Sequence, residues 1–241
     1  MKISIIVPAF NEEKLIGETL RRIEAATSIF RDRNWQTELV VCDNNSTDRT
    51  AELARAAGAA VIFEPVNQIG RARNTGARAA SGDWLIFVDA DSHPSQELFA
   101  NVAETILAGN VLAGGCTMKL DSSDFVATKV TALWNCISRI AKYAAGSFIF
   151  CDAAAFREIG GFDERLFASE EIDLSKRLKK LARKTGRRMV ILRRHPLVTS
   201  ARKLHLYSRR EHGRLLLKTL FNWRKTLGNR DSCHIWYDGR R

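Results

Sequence analysis

The chain has 241 residues, 45% hydrophobic and 27% charged, which is an ordinary globular composition with room for one substantial α/β domain or a core with a smaller appended half. Its 38 Lys and Arg against 27 Asp and Glu leave a net charge of +11, concentrated after residue 176, and this fits an anionic partner: a nucleotide diphosphate, an anionic membrane face or nucleic acid. Cys42, Cys116, Cys136, Cys151 and Cys233 form no C-x-x-C pair, no apolar run approaches a membrane span, and 3–7 is too short for a signal-peptide core, so a reducing, cytoplasmic address is expected.

Residues 3–7 read as a buried strand that turns through PAFNEE into a helix over 12–30, where Ile16, Leu20, Ile23, Thr27 and Phe30 recur at helical spacing. A strand at 39–42 ends in Asp43-Asn44-Asn45-Ser46-Thr47-Asp48, with Ser46 or Thr47 placed to cap the helix that runs to Gly58. A short strand at 61–63 and a helix over 70–80 follow. The apolar run 84–88 is then a strand opened by Ser81-Gly82 and halted by Asp89-Ala90-Asp91. Such alternation implies a doubly wound, mostly parallel sheet with helices on both faces.

Further on, the pattern predicts a helix over 95–108, a strand at 111–118, a helix over 125–145 and a strand at 147–151. A turn at 160–164, a helix over 170–184 closed by Gly186 and a strand at 189–192 complete the core. A basic, partly apolar helix over 204–223 precedes a tail. The expected organisation is one compact unit divided near residue 110 into a first half (1–110) and a second half of the same domain (111–203), followed by the basic helix and tail (204–241).

Three polar clusters terminate strands: Pro8 to Glu13, Asp43 to Asp48, and Asp89 to Asp91. On alternate strands of one open sheet they would line a single crevice, where such sheets bind ligands. Asp91 and Asp89 offer hard oxygens suited to Mg²⁺ or Mn²⁺, while Asp43 could accept from a base edge or ribose, or simply close an Asx turn. In GRARNTGARAA, Arg71 and Arg78 share a helix face and Arg73 lies on another; the three either form a solvated basic face or one of them, Arg73 by choice, could reach back to a nucleotide. The acids of Ser169-Glu170-Glu171-Ile172-Asp173 suit a helix N-terminus, and one of them, partly buried, could act as a general base. The dinucleotide and P-loop glycine signatures are missing, and the histidines lack ligand spacing.

PAFNEE, VVCDNNSTDRT, GRARNTGARAASGDWLIFVDADS, IGGFDE and SEEIDLSKRL, in that order, resemble the family 2 glycosyltransferases of the GT-A fold over about residues 1–183. The run from 70 to 91 is the most specific part. The resemblance implies inverting transfer of a sugar from a nucleotide diphosphate sugar, usually UDP-linked, to a hydroxyl acceptor with Mg²⁺ or Mn²⁺. It implies that Pro8, Phe10 and Glu12 flank the nucleoside, that Asp43 contacts the base, and that Arg73 lies beside the nucleotide. It further implies that Asp89 and Asp91 form the metal-binding D-x-D, that Glu171 is the base, and that 1–110 is the nucleotide-sugar half and 111–203 the acceptor and catalytic-base half. Where the family commonly has Glu-Asp this chain has Glu170-Glu171, which keeps Glu170 as a second catalytic candidate. No Q-x-x-R-W motif of processive members is present, which implies single-sugar addition. Thr199-Ser200-Ala201-Arg202-Lys203 is similar to a T-S-x-R-R element, with diphosphate or acceptor contact as its expected role.

Two other classes compete. A sugar nucleotidyltransferase would carry a glycine-rich basic loop after the first strand, where this chain has acidic, glycine-free PAFNEE. A nucleic-acid binder would interleave aromatics with its basic residues, and no such motif occurs, so no nucleic-acid partner is expected. The helix over 204–223 either packs on the core with its cationic face in water or lies on an anionic bilayer, giving peripheral contact with the inner membrane face and a lipid acceptor.

Overall fold

The apolar run 84–88 forms β4 (Trp84–Val88), and all five of its residues are buried. Successive side chains of a strand point to opposite faces. Trp84, Ile86 and Val88 therefore join one apolar cluster with Ile16, Phe30 and Phe99, while Leu85 and Phe87 join a second with Phe156, Phe162 and Leu174. A strand covered on both faces must be apolar throughout, which is why its sequence reads as a continuous run.

The structure, a computed structural model, describes residues 1–202. Ahead of β4 come β1 (Lys2–Ala9), α1 (Ile16–Arg31), β2 (Gln36–Asp43), α2 (Thr50–Ala56), β3 (Ala60–Phe63) and α3 (Ile69–Ala79). After it come β5 (Ser92–His93), α4 (Gln96–Leu107), β6 (Val111–Leu120), α5 (Phe125–Ala141), β7 (Phe148–Asp152), α6 (Ala153–Glu158), α7 (Glu170–Lys184) and β8 (Arg188–Thr199). The predicted helix over 204–223, Lys203 and Cys233 lie outside the described residues.

The strands form one mixed sheet in the order β3-β2-β1-β4-β7-β6-β8-β5. β1 pairs in parallel with β2 and β4, β2 with β3, and β6 with β8. β7 enters antiparallel between β4 and β6, and the short β5 runs antiparallel to β8. The strands carrying the three polar clusters, β2, β1 and β4, are direct neighbours and not alternate ones as expected from the sequence. Their carboxyl ends still share one edge of the sheet, because all three are parallel. Pro8 is tolerated here because the register of β1 with β4 stops at Ile6, so its missing N–H leaves no gap in that ladder.

Several boundaries move for local reasons. α1 begins at Ile16, since Asn11 adopts a left-handed φ of 53° and a turn closes with Leu15 and Ile16 N–H donating to Glu12 O. Ser46 and Thr47 do not cap α2. Ser46 Oγ accepts from Asn11 N–H and Thr47 N–H donates to Asn11 Oδ1, stitching the β2 loop to the β1 loop, and Asp48 Oδ1 accepts from Thr50 N–H at the helix start. β5 and α6 were not anticipated, and β8 extends seven residues past the predicted strand end.

Candidate active site

Four of the predicted residues meet in one cavity of about 320 Å³: Arg73, Asp89, Glu170 and Glu171. Arg73 projects from α3 into the interior and is only 1% exposed. Its Nη1 donates to Glu170 Oε1 at 2.6 Å, and its Nη2 donates to Asp89 Oδ1 and to Gly146 O, both at 2.9 Å. The guanidinium also lies over the Phe162 ring, 5.3 Å from its centroid. Burial disfavours a charged guanidinium, but the carboxylates of Asp89 and Glu170 outweigh it and raise the Arg73 pKa. One side chain thus ties the end of β4 to the start of α7, with Arg73 and Glu170 standing 97 residues apart in sequence.

The chain enters α7 through Ser169, a non-glycine residue in a left-handed conformation (φ 62°), and its carbonyl takes the Ile172 and Asp173 N–H groups. Such a conformation costs about 1–3 kcal/mol and marks a place where the backbone is held for a purpose. It sets Glu170 and Glu171 side by side in different environments. Glu170 is 4% exposed and committed to Arg73. Glu171, partly exposed at the cavity wall, has its carboxyl pushed up to about 8, first by burial and then by the adjacent Glu170 charge.

Pro8, Phe10, Glu12, Asp43 and Asp91 lie along the same sheet edge but outside this cavity's lining. Pro8 is buried and Phe10 half-buried. Asp43 Oδ1 accepts from Ser46 N–H at 3.1 Å, so the Asx-type turn is present. Glu12 is buried, its N–H donates to Thr50 Oγ1, and both its carboxylate oxygens accept from Arg202 Nη2 at 2.8 and 2.6 Å. The segment from Thr199 arrives here because β8 ends beside β5: Thr199 Oγ1 accepts from Ser92 Oγ, and Ser200 N–H donates to Asp91 O. The T-S-x-R-like element therefore packs on the D-x-D loop itself.

Asp91 is 6% exposed at the end of β4, and Asp89 shares one oxygen with Arg73. Among the described residues no cluster of three or more His, Cys, Asp or Glu could hold a metal alone. Two carboxylates suit a hard cation that keeps waters and takes its remaining ligands from substrate phosphates. The donor set thus fits Mg²⁺ or Mn²⁺ carried with a diphosphate.

Sequence reasoning missed Gly146, Trp134, Met118 and Phe167, which also line the cavity. A Cβ on Gly146 would sit 3.0 Å from Arg73 Nη2, so any larger residue would press on the guanidinium where it closes on this carbonyl. Missed too was Asn74, one residue along from Arg73, which donates to Phe162 O and accepts from Phe162 N–H, clamping the GGFDE turn to α3.

The chain is similar in sequence and fold to known glycosyltransferases. Over 124 residues the chain is 35% identical to an undecaprenyl-phosphate 4-deoxy-4-formamido-L-arabinose transferase of Pseudomonas paraeruginosa, covering 46% of this chain and 34% of that enzyme, so it spans about a third of that relative's length. The Staphylococcus aureus TarS fragment 1–349 in complex with UDP superposes with a TM-score of 0.63 at 26% identity, over 83% of this chain and 61% of the other. The mannosyltransferase PcManGT of Pyrobaculum calidifontis, in complex with GDP-Man and Mn²⁺, gives 0.66 at 20% identity over 96% and 64%. The mixed α/β architecture is that of these GT-A glycosyltransferases. The model of the glycosyl transferase family 2 matches residues 4–159, and the chain belongs to that family.

Proposed function

We propose that this chain is a metal-assisted, inverting transferase that moves one sugar from a nucleotide diphosphate sugar, UDP-linked, to a hydroxyl acceptor. The observation that carries the reading is the Asp89–Arg73–Glu170 link with Glu171 in the wall of the same cavity. In this reading the two neighbouring acids do different work. Glu170, bound to Arg73, is a positioning residue, and so is Arg73 itself, whose charge is already matched by two carboxylates. Glu171 is the base.

In the transfer, Glu171 takes the proton of the acceptor hydroxyl as that oxygen attacks the anomeric carbon. The bond from that carbon to the diphosphate oxygen breaks, and its electron pair leaves with the nucleotide. A carboxylate whose pKa is raised toward the working pH is well matched to this proton transfer. Asp91 and Asp89 would hold a divalent cation, which supplies electrophilic stabilisation of the departing diphosphate. Pro8, Phe10, Glu12 and Asp43, at the ends of β1 and β2, form the nucleoside side. Arg202 stands opposite Glu12 there, with its Nε buried and without a partner among the described residues. The UDP in the TarS complex and the GDP-Man with Mn²⁺ in PcManGT support a nucleotide-sugar donor and a metal.

Calorimetric titration with UDP and Mn²⁺ tests the reading. Binding is expected to require the metal and to be lost in Asp91→Ala. Equal affinity in wild type and variant would remove Asp91 from the metal site.

A further inference from the structure

Helix α5 is built the wrong way round for a helix facing water. Its inward positions are small or polar: Ala127 and Ser138 are buried, and Asn135 exchanges two hydrogen bonds with the backbone of Met118 at 2.9 and 2.8 Å. Outward, at spacings of three and four residues, stand Val126, Val130, Leu133, Ile137 and Ile140. Leu133 is 63% exposed and Ile140 80%. Trp134, next to this stripe, lines the catalytic cavity.

Within the helix the charge has one sign, and the exposed acids Asp121 and Asp124 stand only ahead of its first turn. Between residues 125 and 151 the chain carries Lys129, Arg139 and Lys142 and no acidic residue. Asp124, just before, is occupied capping the helix through the Ala127 N–H. At the other end Lys179 Nζ donates to Ala141 O, and Lys176 and Lys179 lie over the Tyr143 ring at 5.9 and 5.0 Å. Crowding is real there: burial, followed by Arg183, Lys142 and Lys176, lowers the Lys179 pKa.

This charge selects the occupant. A second copy docked through the stripe would set one net cationic patch against another, since a two-fold interface pairs a patch with itself. Residues 204–223 carry Arg209, Arg210, Arg214 and Lys218 against the single acid Glu211, so they too would bring like charge. An apolar stripe rimmed by Lys and Arg is the pattern of a helix lying in an anionic membrane interface. We propose that the apolar stripe of α5 is a docking face for an anionic lipid bilayer, with the catalytic cavity beside the membrane surface. Taken with the transferase reading, on which this step rests, the acceptor is then lipid-borne.

Vesicle co-sedimentation of the full chain, without donor, tests the docking. The wild type is expected to bind phosphatidylcholine vesicles containing phosphatidylglycerol and not phosphatidylcholine alone. Leu133→Asp/Ile140→Asp should weaken binding by about tenfold or more, with unchanged thermal melting and unchanged donor hydrolysis in vesicle-free solution. Ile140→Glu alone, at the most exposed position, serves if the double variant melts early. No binding by the wild type overturns the proposal, and so does equal binding by the variants, which would move the contact to another part of the chain. A wild-type dimer that the variants dissociate in sedimentation overturns it in favour of self-association. Because no donor is present, failure here leaves the transferase assignment standing, and failure of the Asp91→Ala titration leaves the docking standing.

Discussion

Arg73 holds two carboxylates and a carbonyl from three separate parts of the chain, and each would be left partly unpaired without it. Arg73→Met is therefore expected to cost about 3–5 kcal/mol, since breaking a buried pair strands the remaining charge. Arg73→Lys should fail to restore it, because a compact ammonium cannot reproduce the planar fork; denaturant melts of both variants check this. Glu171→Gln should lower the transfer rate by about 10²–10⁴-fold while donor affinity measured by calorimetry is retained. The same residue sets a pH signature. Its carboxyl is raised from 4.5 to about 8, so across that window the folded chain keeps a proton that the unfolded chain has released. Folding stability contributed by this group is thus lost as pH rises through the window, while kcat/KM, on the proposed base role of Glu171, is expected to increase. Glu171→Gln should melt with a shallower pH dependence than wild type over that range; identical curves would refute the shift.

Helix α3 sits where it does because Gly76 lets it approach β1. A Cβ there would lie 2.6 Å from Ile6 Cγ2, inside the core. Alanine gains about 1 kcal/mol in helix propensity, but overpacking a stiff, fully buried isoleucine costs about 1–3 kcal/mol, so the clash wins. Gly76→Ala should lower the melting temperature and, by displacing Arg73, reduce activity more than stability alone accounts for. The elements differ in how openly the sequence declares them. β4 and α7 occupy the predicted residues, because one is an apolar run between a glycine and two acids and the other is bounded by Ser169 and Gly186. β8 is partly solvated and includes Arg193, Arg194 and Pro196, so its pairing with β6, not its own pattern, makes it a strand. The site follows the same division. Asp89, Asp91 and Glu171 stand out locally, whereas the grip of Arg73 on Gly146 and Glu170 depends on contacts 73 and 97 residues apart that no local pattern contains.

At the scale of the whole molecule, the sheet crosses the expected boundary near residue 110, since β7 pairs with both β4 and β6. Phe99 stacks on Phe30 at 5.2 Å and meets Phe148 at 6.2 Å, joining elements from both sides of that boundary. Phe99→Ala should therefore cost about 3–5 kcal/mol and lower a single calorimetric transition without splitting it. Two resolved transitions would mean that the halves unfold separately. The cysteines extend this cooperative picture. Cys42, Cys116 and Cys151 are buried free thiols, while Cys136 on α5 is exposed. Burial, with the Glu64 and Asp43 charges added, pushes the Cys42 thiol up to about 12, and burial does the same for Cys116. Neither can form an appreciable thiolate while the sheet is closed, so alkylation at these sulfurs must wait for the strands to part. The protein thus carries built-in clocks for its own opening: a maleimide that marks Cys136 at once will mark Cys42 only at the rate at which β2 comes free.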